Sequence, residues 1–178
     1  MNDELRDLLA KQAITEVLAD YVRGADRIDV PLLKSVFHED AVADYGAMFQ
    51  GSGHEFAEFL GAVHPTMETH HHQLGSITTS SAASPSGSTA TARAARSYVT
   101  VRLGFRDPDG SLTDITSCGR YVDEWLRADG AWRISRRRYL HHLDESRSTD
   151  GGSYETLGAR DGSDPSYEVL SLRDLSAP

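Results

Sequence analysis

Apolar positions in the first third of the chain recur with a helical period. Leu5, Leu8, Leu9, Ile14, Val17, Leu18, Tyr21 and Val22 follow a repeat of about 3.6 residues and predict one amphipathic helix that ends near Gly24. Ala25-Asp26-Arg27-Ile28 reads as a linker. Asp29 is placed to cap a second helix, with Pro31 in its first turn and Leu33, Val36 and Phe37 on its apolar side. A short strand is expected over residues 41–45. Ser52 and Glu55 have capping-box spacing, and Phe56, Phe59, Leu60 and Val63 then give a third helix its apolar stripe.

Beyond residue 68 the period changes to two. Strands are expected over residues 69–79, 89–105, 112–126 and 131–142. The small, polar stretch 80–88 reads as a loop. Asp107-Pro108-Asp109-Gly110 and Ala128-Asp129-Gly130 are tight-turn signals. Long strands joined by tight turns make an antiparallel meander, and helices followed by strands indicate an α+β domain. The expected architecture is a cone-shaped barrel: a curved antiparallel sheet closed by about three N-terminal helices around a buried pocket.

Composition narrows the class of partner. The chain has 178 residues and a formal net charge of -9, so a phosphate backbone would be repelled and nucleic acid is not expected. Apolar runs fall far short of the ~20 residues that span a bilayer, so no membrane partner is expected either. The N-terminus is charged, unlike a signal peptide, and the cytoplasm is the expected location. Cys118 is the sole cysteine, which excludes an intrachain disulfide. After His142 the chain becomes rich in Gly, Ser and Asp. Residues 1–142 are read as the domain and 143–178 as an acidic tail, either partly ordered or an arm over the pocket or a neighbouring subunit.

The sequence lacks a Gly-rich phosphate loop, a GxSxG elbow and the local signature of a catalytic thiol. The run His70-His71-His72 stands out. On a strand, His70 and His72 share a face, and such a pair could begin a zinc site, but the further ligands that zinc needs are not evident. An imidazole facing a pocket also suits acid–base work, given a carboxylate to orient it. Asp26 is a candidate, because Asp29 is better placed to cap the second helix. Tyr21 lies on the apolar face of the first helix, either as core or with its hydroxyl offered to a substrate. Tyr98 and Arg120 sit in long strands, and Arg136-Arg137-Arg138 are expected to make surface ion pairs.

The stretches Ala13–Tyr21, Gly24–Asp29, Thr69–Ser76, Gly119–Trp125 and Asp129–Ile134 together resemble a SnoaL-like domain of the nuclear-transport-factor-2-like superfamily. The resemblance is nearest to the scytalone dehydratase, hexachlorocyclohexane dehydrochlorinase and bile-acid dehydratase type. It implies a cofactor-independent lyase that acts on a small, largely apolar ring compound. It places the catalytic pair at Asp26 and His72, with His70 as the alternative if the register slips. It implies pocket positions at Tyr21, Arg120 and His141, to which the sequence reading adds Tyr98. A second acid found in relatives has no counterpart at Tyr98-Val99-Thr100-Val101. An isomerase or polyketide-type cyclase using the same base, or a non-catalytic binding module, are the competing readings. A homodimer or homotrimer is expected, with neither metal nor cofactor.

Overall fold

In the computed structural model, which describes residues 2–83, 91–149 and 158–170, the chain opens with helix α1 (Asp3–Arg27). Asn2 caps it, its side chain accepting the Leu5 N–H at 2.8 Å. Helix α2 (Val30–Ser35) starts on Asp29, whose carboxylate accepts the Leu32 N–H at 3.0 Å. Strands β1 (Phe37–Asp44) and β2 (Gln50–Ser52) lead into helix α3 (Gly53–Val63). The Ser52–Glu55 capping box forms as the spacing predicts. A single 3-10 turn (His64–Thr66) precedes β3 (Thr69–Ala82). Then come β4 (Thr91–Arg106), β5 (Leu112–Ala128), β6 (Ala131–Thr149) and a short α4 (Ser166–Val169).

The six strands form one sheet in the order β2-β1-β6-β5-β4-β3. The meander β3–β6 is antiparallel as expected, but β1 runs parallel to β6. The sheet is therefore mixed, and it stays open between β2 and β3 instead of closing as a barrel. Phe37 begins β1 and does not belong to α2. Strand β6 runs past His142, and Leu143–Thr149 pair with Leu112–Cys118, so the first residues of the expected tail are strand. The expected loop over 80–88 is shortened by β3, which reaches Ala82; its residues 84–88, and residues 89–90 of the next expected strand, lie outside the described residues. Of the tail's apolar end, Val169 and Leu170 are exposed, while Leu172 and Leu175 lie outside the described residues.

Cross-strand register defines the two faces of the sheet. Along β4, Arg93, Ala95, Ser97 and Val99 are buried while Arg96, Tyr98 and Arg102 are exposed. The buried face is the one on which α1 packs. Its centre is filled by Tyr21 from α1, Tyr121 and Trp125 from β5, and Ile134 from β6, all essentially sequestered from solvent.

Arg137 lies in this core, fully buried, and does not join a surface pair. Its Nε and Nη2 each donate to an Asp123 carboxylate oxygen at 2.8 Å. Its guanidinium stacks 4.3 Å from the Tyr21 ring and 4.0 Å from the Tyr121 ring. The cause is strand alternation: Arg136 and Arg138 point outward, where Arg138 meets Asp44, so Arg137 must point inward. Arg137→Met should cost about 3–5 kcal/mol in urea unfolding, because Asp123 is left charged and unpaired. Asp123→Leu in the same chain should recover much of that loss; equal stability of Arg137→Met and wild type would contradict the assignment.

Candidate active site

The site is built at the C-terminal end of α1. The helix does not stop at Gly24. It continues to Arg27 and closes with Ile28 in the left-handed region at φ 56°. The Asp29 N–H donates to the Gly24 carbonyl at 2.9 Å and the Ile28 N–H to the Ala25 carbonyl at 3.4 Å, the pair of bonds that defines a Schellman end. Gly24 serves packing, since a Cβ there would lie 2.9 Å from Leu33. Asp26 thus sits in the last helical turn, with its carboxylate directed at β3.

Three histidines converge on this helix end. His72 Nδ1 lies 2.7 Å from Asp26 Oδ1, and the His72 backbone N–H donates to both carboxylate oxygens at 3.1 and 3.2 Å. With the Nδ1 proton donated to the carboxylate, the lone pair of the ring resides on Nε2. His70 Nε2 donates to the Ala25 carbonyl at 2.9 Å, and His64 Nδ1 donates to the same oxygen at 3.1 Å. The His64 and His70 rings lie 4.4 Å apart. His71 alternates outward and is exposed, with Nδ1 3.6 Å from Asp26 Oδ2.

Burial, reinforced by the neighbouring His70, lowers the pKa of His64 to about 4. Burial also lowers that of His70, whose bond to the Ala25 carbonyl opposes the shift. Both imidazoles are built as neutral donors.

The C-terminal segment braces this corner from behind. Arg160 donates to the Met67 carbonyl at 2.8 Å, the His64 carbonyl at 3.3 Å and His70 Nδ1 at 3.3 Å. The Tyr167 hydroxyl donates to Asp29 at 2.9 Å, and Arg27 pairs with Asp164 at 3.5 Å. The described part of the tail is therefore docked on the helix end.

The residues expected around the pair divide by face. Tyr21 is buried with its ring edge-on, 6.5 Å from that of His72, but its hydroxyl is bonded to the Tyr45 hydroxyl at 3.1 Å and is not free for a substrate. Tyr98 and Arg120 are register partners on the opposite face, away from His72, which removes both as pocket residues. Tyr98 instead meets His142 there. Strand parity decides this: Val99 and Val101 point inward, so Tyr98 cannot. His141 is half-exposed and bonds Asp144 at 2.9 Å. The zinc alternative meets three nitrogens already committed: both of His70, to the Ala25 carbonyl and to Arg160, and Nδ1 of His72, to Asp26. Among the described residues no set of three His, Cys, Asp or Glu converges as metal ligands would.

Register continues the His72 face across the sheet. His72 pairs with Val101, Val101 with Ser117, and Ser117 with Asp144. Tyr139 lies flat over Gly119, where a Cβ would meet its hydroxyl at 2.6 Å, and that hydroxyl reaches Ser117 Oγ at 3.3 Å. Burial raises the Tyr139 pKa, so the phenol keeps its proton. A hydrogen bond from Ser117, then one from His141, lowers that of Asp144. The sequence offered one signal for this group, a glycine inside a strand, which marks a close approach. Val101, Leu103 and Ile115 on this face are only half-buried, so the region beyond Tyr21 is an open ledge and not an enclosed pocket. His70 and His71 border a separate open cleft of about 730 Å³ with Arg102 and Arg106.

Comparison with known proteins agrees with this architecture. The family model described as SnoaL-like domain matches residues 6–138. No curated protein matches the sequence significantly. A hexachlorocyclohexane dehydrochlorinase (LinA) type 2 superposes with a TM-score of 0.70 at 17% identity, covering 87% of this chain and 100% of its own. A candidate scytalone dehydratase from Novosphingobium aromaticivorans gives 0.64 at 21% identity, covering 87% and 94%. The type 3 dehydrochlorinase of Novosphingobium barchaimii gives 0.63 at 18%, covering 87% and 100%. At these identities the likeness is one of fold.

His64 gives the site an acid-sensitive component. Its pKa rises from about 4 in the folded chain to the ordinary 6.5 on unfolding. Between those values the unfolded chain binds the extra proton, so the stability is complete above pH 6.5 and is lost as pH falls towards 4. Urea unfolding should show about 2 kcal/mol lost from this source between pH 7 and pH 5. His64→Gln should lose correspondingly less over that interval; the same loss in both proteins would exclude His64 as its origin.

Proposed function

Because the chain belongs to the SnoaL-like domain family, we propose that it is a cofactor-independent lyase in which His72, oriented by Asp26, is the base. The observation that carries this reading is the 2.7 Å contact between Asp26 Oδ1 and His72 Nδ1, both side chains being largely buried. The second contact, from the His72 backbone N–H to the same carboxylate, fixes the carboxylate relative to the ring it orients. Such a pair holds one tautomer and stabilises the imidazolium formed when Nε2 takes a proton.

In this mechanism Nε2 removes a proton from a carbon next to the leaving group. The C–H bonding pair becomes the new C=C bond. The leaving group departs with its own bonding pair, as a halide or, once protonated, as water. Adjacent strands lie about 4.8 Å apart, which puts Ser117, two strands from His72, roughly 10 Å away on the same face. The two groups cannot touch each other, but a ring-sized substrate spans the gap. The Tyr139 phenol then supplies the acid that the β4 segment lacks. It is renewed through Ser117, Asp144 and the half-exposed His141. Val101, Leu103 and Ile115 favour an apolar ring body.

Two probes follow from what the neighbours act on: chloride release from hexachlorocyclohexane and water loss from scytalone. Turnover of either should fall about 10²–10⁴-fold in His72→Ala and in Asp26→Asn. Tyr139→Phe should slow the loss of a hydroxyl more than the loss of chloride, because chloride leaves without a proton. Full activity in both dyad variants defeats the mechanism. A product of unchanged mass makes the protein an isomerase or cyclase instead.

A further inference from the structure

The far end of the same sheet face carries a group that the dyad does not use. Thr91, Arg127 and Trp132 are successive register partners there, and Arg93 lies alongside, opposite Trp125. The N-terminal half of α1 covers them with one helical stripe that includes Leu9, Ala13 and Val17. Between helix and sheet lies a cleft of about 520 Å³, a size that takes a small organic molecule. Ala13 precedes Asp26 by thirteen residues, about 20 Å along the helix axis, so this cleft is remote from His72. Tyr21, Tyr121 and the buried Arg137 fill the space between.

The charge in this cleft runs against that of the protein. The chain carries a formal -9, yet among the described residues the charged side chains that line the cleft are arginines 6, 93 and 127, with Asp3 against Arg6 and Asp7 against Arg93 at its edge. Arg93 is only 8% exposed. Its guanidinium lies 5.9 Å from the Trp132 ring. Nη1 approaches Asp7 Oδ1 at 2.7 Å, an ion pair without hydrogen-bond alignment. Among the described residues Nε has no acceptor. A buried guanidinium with unsatisfied N–H groups is costly unless an anion completes it, and a carboxylate matches its planar fork. The apolar walls add a preference for a hydrocarbon body next to that carboxylate.

We propose that this cleft binds an apolar monocarboxylate, alkyl or aryl, with its carboxylate on Arg93 and its body between α1 and Trp132. Asp7 acts as an internal competitor that holds one side of the guanidinium when the cleft is empty. The site is independent of the lyase reading.

Sodium decanoate is the probe, titrated into the full chain at millimolar concentrations or below and followed by calorimetry and tryptophan fluorescence. One saturable site is expected. Arg93→Lys should weaken it at least about tenfold, since a point charge replaces the fork. Ala13→Leu should weaken it similarly by filling the cleft with Arg93 intact. Asp7→Asn should tighten it about threefold or more, an effect of opposite sign that a purely structural Arg93–Asp7 pair does not produce. His72→Ala should leave the affinity unchanged. The proposal is overturned if decanoate does not bind, if decanol binds equally well, or if His72→Ala abolishes binding while Arg93→Lys and Ala13→Leu do not. It is also overturned if light scattering shows that a second copy of the chain, displaced by no ligand, occupies the cleft.

Discussion

The site depends on how one helix ends. The Ala25 carbonyl accepts from His64 and His70, and the neighbouring Asp26 carboxylate accepts from the ring and backbone of His72. Hydrogen bonds to charged groups contribute roughly 1.5–3 kcal/mol each, so the helix end and β3 hold each other in one register. That register determines which histidine meets Asp26 and which nitrogen is left with a lone pair. Ile28 accepts a left-handed backbone so that the helix can close one turn beyond Gly24, and Arg160 ties the same corner to the C-terminal segment.

A second constraint divides the concave face. Arg137 and Asp123 are a fully buried ion pair, an expensive arrangement that is tolerable only because the geometry is bidentate and Tyr21 and Tyr121 cover the guanidinium. This plug fills the middle of what a deep cone would leave hollow. It separates the ledge that begins at His72 from the basic cleft around Arg93. The Tyr21 hydroxyl is consumed within the plug, where it bonds Tyr45, which is why the proposed mechanism assigns the acid to Tyr139 instead.

What the sequence could show follows from the range of each interaction. The caps at Asp29 and Ser52 and the meander with its tight turns are local patterns, and they were legible. Gly24 near a helix end resembles a stop signal, whereas here it makes room for Leu33 and the helix continues. The outward placement of Tyr98 and Arg120 and the inward placement of Arg137 follow from strand parity. Parity becomes readable only once one buried position on each strand is known. The parallel pairing of β1 with β6 joins segments far apart in the chain and has no local signature. The Asp26–His72 contact spans 46 residues, so it came from resemblance to a family and not from spacing. The group around Tyr139 needed the register as well as its pattern signal, because Gly119 inside a strand marks a close approach without saying which side chain makes it.

The proposed chemistry requires that Asp26 hold His72 as the Nδ1–H tautomer with the lone pair on Nε2. Nitrogen-15 NMR of the imidazoles reads this directly on the full-length protein without any substrate. Neutral His72 is expected to carry its proton on Nδ1 in the wild type, and Asp26→Asn to abolish this preference while the fold remains intact. A wild-type spectrum with the His72 proton on Nε2, or an unchanged Nδ1–H tautomer in Asp26→Asn, contradicts it.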